Sequence, residues 1–159
     1  MNIAEIFDIT RTVLLSADSY SREMAIDEAY LEALRQSHGP VERQYKQYRR
    51  ASVRPKRIDF RAGGPNPVYL ELAVRPRDGA SELYGSQNKP ELEKLLRYPQ
   101  SKAKLRALVL MDFAAVPIER NRLRSSYDTL GAGPGRFERN PVRVLYVHSK
   151  SEYHFVWRG

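Results

Sequence analysis

The sequence contains no cysteine, so the chain can form neither disulfides nor a zinc site with thiolate ligands. Its three histidines show no spacing typical of a metal site. No apolar run approaches the roughly 20 residues needed to span a bilayer. The opening, MNIAEIFDIT, lacks the basic and apolar regions of a secretion signal. These absences argue against disulfide-rich, zinc-thiolate and membrane-spanning classes, and they predict a cytoplasmic protein with no membrane partner.

Acidic residues are fewer than basic ones, 19 against 27, which gives a net charge of +8. The first 36 residues hold seven acids and three bases, a balance of −4, so the rest of the chain carries +12. A basic body indicates a polyanionic partner, with nucleic acid as the first candidate. Charge that only keeps the protein soluble explains the excess equally well.

The periodicity of apolar residues predicts one α/β domain over residues 1–159. Two helices come first, at about residues 3–14 and 21–36. VERQYKQY, RIDFRA and VYLELAV follow as strands, and KPELEKLLRYPQSK starts as a helix near Pro90. LRALVLMDF is a buried strand, PIERNRLRSSYDTL a helix, and VRVLYVHS with YHFVWRG a terminal hairpin. The predicted order is therefore α-α-β-β-β-α-β-α-β-β.

An acid interrupts each of two adjacent β-like runs in RIDFRAGGPNPVYLELAV, Asp59 in the first and Glu71 in the second. Strands disfavour acids, and a carboxylate that faces a core needs a partner. Two carboxylates brought together across a hairpin repel each other unless a cation lies between them, and oxygen ligands favour Mg²⁺ or Mn²⁺. The alternative is that the acids pair with neighbouring arginines, such as Arg57, Arg61 or Arg75, on a solvated face.

An acid on one strand, a second acid in YLELAV, a following helix with lysine and then an apolar strand together resemble the PD-(D/E)XK nuclease superfamily. The resemblance spans roughly residues 21–112. It implies the restriction-endonuclease-like fold, a central mixed β-sheet flanked by helices. It also implies that Asp59 and Glu71 bind Mg²⁺ or Mn²⁺, together with the carbonyl of Leu72.

The chain departs from that family's motif where the lysine is expected, because Ala73 stands there; Ile58 stands where the motif has proline. The lysine orients or activates water and stabilises the charge that develops on the phosphate, and alanine can do neither. The candidates for its replacement are Arg75, on the same strand, and Lys94, on the following helix. Glu28, on the preceding helix, is a candidate additional acid.

A basic stretch with interleaved tyrosines lies immediately before the first acid. Guanidinium groups suit phosphate oxygens, and tyrosines can pack against sugars or bases. The alternative is an exposed strand that its charges protect from edge pairing. The predicted nucleic-acid-binding residues are Arg43, Lys46, Arg49, Arg50, Arg54 and Lys56.

These features support three functions. The leading one is a metal-dependent DNA phosphodiesterase, endonuclease-like, or a weakly active descendant, with duplex DNA as its expected partner. The second is a catalytically inactive nuclease-fold module that binds nucleic acid, which Ala73 favours. The third is a protein-interaction domain with structural acids, whose terminal hairpin edge pairs with another chain. The sequence leaves open the catalytic activity, the choice between DNA and RNA, and assembly as a homodimer or with a partner protein.

Overall fold

The computed structural model describes residues 1–16, 23–46, 57–78, 82–96, 104–130 and 141–158. Within these ranges the chain forms four helices and six strands. In chain order they are α1 (Ile3–Ser16), α2 (Glu23–His38), β1 (Val41–Lys46), β2 (Arg57–Ala62), β3 (Val68–Arg75), α3 (Gly85–Leu96), β4 (Leu105–Asp112), α4 (Arg120–Asp128), β5 (Val142–His148) and β6 (Ser151–Trp157).

The six strands form one mixed sheet in the order β1-β2-β3-β4-β5-β6. The strands β1, β2 and β3 are antiparallel neighbours, β3, β4 and β5 run parallel, and β6 returns antiparallel to β5. Parallel neighbours need a crossover connection, and α3 and α4 lie in these two connections. The expected α/β class, with a mixed sheet flanked by helices, is confirmed.

The core has two layers, one on each face of the sheet. The helices α1 and α2 pack on one face, against a cluster that includes Phe60, Leu70 and Val109. The helices α3 and α4 pack on the other face, against a cluster that includes Leu108 and Tyr146. Successive residues of β3 and β4 therefore alternate between two apolar layers, which explains why these strands read as continuous apolar runs.

Two helix starts follow from local sequence. At α1 the Glu5 amide donates to the Asn2 side chain at 3.0 Å, and the Asn2 amide donates to the Glu5 carboxylate at 2.5 Å. This reciprocal pair is a capping box, which satisfies amides that the first helical turn leaves free. At α4 the Glu119 carboxylate accepts hydrogen bonds from the amides of Asn121 and Arg122. The N-termini of both helices are thus capped by side chains from the neighbouring sequence.

The start of α3 differs from the sequence prediction. The helix begins at Gly85 and encloses Pro90, which was expected near the first turn. Gly85 lies against α4, where a Cβ atom would collide with the backbone oxygen of Ser126. The amides of Gln87 and Asn88 both donate hydrogen bonds to the Tyr84 carbonyl. The first turn of the helix is therefore already formed before Pro90. Contact with α4, which the local sequence does not reveal, therefore sets this boundary.

No helix in the described ranges has both the length and the apolar composition that crossing a bilayer requires.

Candidate active site

The two acids predicted as metal ligands lie on the adjacent antiparallel strands β2 and β3. The β2–β3 pairing ends with Phe60 opposite Leu70; Asp59 precedes Phe60 and Glu71 follows Leu70, so both acids lie just beyond the last paired residues. There the Asp59 carboxylate accepts a hydrogen bond of 3.0 Å from the Leu72 amide. The side chain of Asp59 thus bonds to the backbone of β3 beside Glu71.

Glu71 is only 1% exposed, and burial raises the pKa of its carboxyl group to about 10. The negative charge of Asp59 and a hydrogen bond with Glu91 raise this pKa further, whereas Lys94 lowers it. The influence of Asp59 shows that the two carboxyl groups interact electrostatically. The proximity has an electrostatic cost, because each additional carboxylate makes ionisation of Glu71 harder.

Lys94 reaches Glu71 from α3, with 2.6 Å between its Nζ and Oε2 of the glutamate. The same ammonium contacts Glu91, three residues earlier on the helix, and its side chain is 18% exposed. Burial lowers the pKa of Lys94, but the hydrogen bonds to Glu71 and Glu91 outweigh burial and raise it overall. Lys94 is therefore a charged residue bound to two glutamates. Its ammonium supplies a positive charge beside Glu71, which Ala73 on the strand cannot supply.

Two carboxyl groups, those of Glu71 and Glu91, contact this ammonium, and Asp59 acts on Glu71 through its charge. If Asp59, Glu71 and Glu91 were all ionised, they and Lys94 would carry a net charge of −2 in a largely buried volume. Burial of uncompensated charge is expensive, so a carboxyl group in such a cluster retains a proton at neutral pH. The raised pKa identifies Glu71 as that group. A cation bound between the acids would remove the need for the proton.

Arg106 holds the end of the helix that carries Lys94. This arginine is 1% exposed on β4, and its Nη1 donates to the carbonyls of Leu95 at 3.2 Å and Leu96 at 3.4 Å. The last carbonyls of a helix have no partner within the helix, and a cation there also favours the helix dipole. Arg106 therefore fixes the last turn of α3 and, with it, the position of Lys94.

Arg75, the other candidate for the missing lysine, makes different contacts. Its guanidinium donates to both carboxylate oxygens of Asp112, at 2.8 and 2.7 Å, and to the Val116 carbonyl at 2.7 Å. The Tyr146 hydroxyl also donates to Asp112, which is fully buried. The hydrogen bond to Asp112 raises the pKa of Arg75. Arg75 thus fastens the loop after β4 to the sheet, and the structure brings Lys94 rather than Arg75 to Glu71.

The other predicted residues are only partly within the described ranges. Arg43 lies on β1, where its Nη2 is 3.5 Å from the Asp27 carboxylate of α2. Lys46 ends β1, but its side chain lies outside the described part, as do Arg49, Arg50, Arg54 and Lys56 altogether. Glu28 is exposed on α2, which packs on the face opposite Lys94, so it does not join the site.

The chemistry of the acid pair fits a hard divalent cation. The Oε1 atom of Glu71 is buried without a hydrogen-bond partner, and such an oxygen is available as a ligand. Asp59 adds a second carboxylate, and oxygen donors suit Mg²⁺ or Mn²⁺. Across the described ranges, no group of three or more His, Cys, Asp or Glu side chains could hold a metal ion. Further ligands would therefore be backbone carbonyls, as predicted for Leu72, or water.

Sequence reasoning missed three residues of this region: Glu91, Arg106 and Asp112. A signal existed for two of them, since Arg106 and Asp112 are the charged residues inside and at the end of the apolar run LRALVLMD. Comparison with protein-family models, curated proteins and solved structures found no match for this chain. The function of the chain must therefore be inferred from the geometry of the site.

Proposed function

We propose that this chain is a metal-dependent phosphodiesterase that acts on nucleic acid, in duplex DNA first, or a weakly active descendant of one. The observation that supports this most is the 2.6 Å contact between Lys94 and Glu71, beside Asp59. It supplies an ammonium at a two-carboxylate site where Ala73 cannot. The cytoplasmic location predicted from the sequence belongs to the same proposal.

In this proposal Asp59, Glu71 and the Leu72 carbonyl hold Mg²⁺ or Mn²⁺. The chemistry supplied by the cation, when bound, is polarisation of the phosphate and activation of a water molecule. Asp59 is oriented for this task by the Leu72 amide, and Glu71 by Lys94. Lys94 also places a positive charge where negative charge develops on the phosphate, which is the role that a preorganised donor has in the transition state.

Two other functions remain as proposals with their own support. An inactive nucleic-acid-binding module is favoured by Ala73 and by the commitment of Arg75 to Asp112. A protein-interaction domain is favoured by β6, which forms one edge of the sheet and could accept a strand from another chain. In that last case the Asp59–Leu72 and Glu71–Lys94 contacts would be structural only.

Calorimetric titration with Mn²⁺ and a nicking assay on supercoiled plasmid distinguish the three functions. We expect the native chain to bind Mn²⁺ and nick the plasmid slowly. Asp59→Asn and Glu71→Gln should each weaken Mn²⁺ binding about tenfold or more, since each removes a charged ligand. Lys94→Ala should retain Mn²⁺ binding and lose nicking by about 100-fold or more. Glu28→Gln, an exposed acid on the opposite face, is the matched control and should change neither.

Each outcome of these assays points to a different one of the three functions. Mn²⁺ binding and DNA binding without nicking would indicate the inactive module. Absence of Mn²⁺ binding at millimolar concentration would refute the metal site, and it would leave the acids as structural groups. Nicking that survives Lys94→Ala and Arg75→Ala together would show that neither residue replaces the motif lysine.

A further inference from the structure

The two helical layers that cover the sheet differ in charge. The helices α1 and α2 together hold six acids and two arginines, whereas α3 and α4 hold five bases and three acids. Lys94 and its acids lie on the side of α3 and α4. A polyanion that approaches the candidate site therefore meets the basic layer, and the acidic layer repels it.

Most of the positive charge of the basic layer is on α4. This helix has nine residues, and three of them, Arg120, Arg122 and Arg124, are exposed arginines. Its own acid, Asp128, lies 3.4 Å from Arg124. The preceding acid, Glu119, uses both carboxylate oxygens as acceptors for backbone amides at the start of the helix. Residues 119–128 thus keep a net charge of +1, and of the three arginines only Arg124 forms an ion pair within the described part of the chain.

The helix that carries these arginines is firmly attached to the core. Tyr127 is fully buried, its hydroxyl donates to the Leu83 carbonyl at 2.9 Å, and its own carbonyl accepts from the Trp157 indole at 3.1 Å. The guanidinium of Arg122 lies 5.3 Å from the centre of the Tyr84 ring, which holds it in a cation–π contact. A ligand would therefore meet a rigid helix and, at Arg122, a guanidinium that is already positioned, which lowers the entropic cost of binding.

We infer that the exposed arginines of α4, Arg120 and Arg124 on one side of the helix and Arg122 on the other, together form a contact surface for the phosphate backbone of duplex nucleic acid, here called the arginine face. The inference rests on the proposed function, because it states where the substrate of that site is held. The helix α4 packs over β6, and Glu71 lies on β3, three strands away. At about 4.8 Å per strand this is about 14 Å, or about four base pairs of duplex.

The test compares two triple variants of equal net charge. Arg120→Gln, Arg122→Gln and Arg124→Gln remove the arginine face. Arg35→Gln, Lys104→Gln and Lys150→Gln remove three exposed charges elsewhere and serve as the control. Binding to a labelled short DNA duplex is measured by fluorescence anisotropy between about 50 and 200 mM KCl, the range in which phosphate contacts give a clear salt dependence.

We expect the arginine-face variant to bind DNA at least about tenfold more weakly than the native chain. The slope of log K against log salt concentration should become less negative by about 2 to 3. The control triple should change the slope by less than about 1. Replacing the three arginines with lysine should retain the slope, which excludes a folding defect as the cause. Equal losses in both glutamine triples would overturn the inference, since only net charge would then matter.

Two further measurements separate this inference from the proposed function. The arginine-face variant should bind Mn²⁺ with the same affinity as the native chain. If it does, but also binds DNA as tightly as the native chain, the inference about the arginine face is refuted and the proposed metal site is unaffected. Loss of binding to phosphatidylserine vesicles, with DNA binding intact, would assign the face to a membrane surface instead. Undetectable DNA binding by the native chain at low salt would overturn both proposals.

Discussion

Replacing Glu71 with glutamine should change how the stability of the protein depends on pH. The folded state raises the pKa of Glu71 to about 10 from the 4.5 expected in an unfolded chain. An acid with a raised folded pKa contributes its full stability below pH 4.5, and this contribution is lost as the pH rises toward the folded pKa. Without divalent cations, the native protein should therefore become less stable from neutral to alkaline pH.

The magnitude follows from proton linkage. One extra proton in the folded state gives a slope of about 1.4 kcal/mol per pH unit, or about 2.7 kcal/mol between pH 6 and pH 8. The attraction of Lys94 is already included in the pKa of about 10, which lies above this pH range, so the full slope applies. We therefore expect a loss of about 2.7 kcal/mol over these two pH units. Glu71→Gln should remove that dependence and should be the more stable protein at pH 8.

The measurement is urea unfolding followed by circular dichroism at several pH values, in buffer with EDTA. For a chain of this length the difference corresponds to a shift of about 5–11 °C in Tm. Glu82→Gln, an exposed acid on the connection before α3, is the control and should leave the slope unchanged. Adding Mn²⁺ should stabilise the native chain more at pH 8 than at pH 6, because the cation replaces the proton on Glu71.

One result would refute this reasoning. If native stability does not fall with pH and Glu71→Gln is less stable at every pH, then Glu71 is ionised throughout. Its ion pair with Lys94 would in that case outweigh the burial and the charge of Asp59.

Three other predictions follow from contacts elsewhere in the fold. Arg106→Met should destabilise the protein by about 3 kcal/mol in urea unfolding, because two buried carbonyls at the end of α3 lose a charged donor. Gly85→Ala should cost about 1–3 kcal/mol by collision with Ser126, whereas Gly64→Ala, with open space around its Cβ position, should be near neutral. Neutralising the basic segment before β2 with glutamine should weaken DNA binding and flatten its salt dependence in an anisotropy assay; the residues are Arg49, Arg50 and Arg54.

Much of the fold could be predicted from local patterns. Alternation locates β2, in which every second side chain is buried, and long apolar runs locate β3 and β4, which bury side chains on both faces. The pairing of Asn2 with Glu5 marks the start of α1 from four residues alone. The start of α3 could not be found in this way, because the close approach of Gly85 to α4 decides it. Boundaries set by contacts distant in sequence leave no local signal.

The candidate site was predictable to a similar extent. Asp59 and Glu71 are conspicuous because strands disfavour acids, and the turn between them indicates a hairpin. That Lys94 reaches Glu71 depends on how α3 crosses the sheet, which the sequence does not encode locally. The contact of Glu91 could not be predicted for the same reason. Its spacing from Lys94 places both residues on one face of the helix, but it does not show which part of the sheet that face packs against. The contacts of these helix residues therefore required the folded chain.

The position of Lys94 bears directly on what Ala73 means. A strand lysine at position 73 would share a face with Glu71, but in this fold an ammonium already lies 2.6 Å from that glutamate, and it comes from α3. The absence of a lysine at position 73 therefore does not by itself leave the acids without a cationic partner. What matters instead is whether the last turn of α3 keeps its place, and Arg106 fixes that turn through two carbonyls. If the site is active, its activity should then be sensitive to Arg106, a residue with no place in the motif, as well as to the acids.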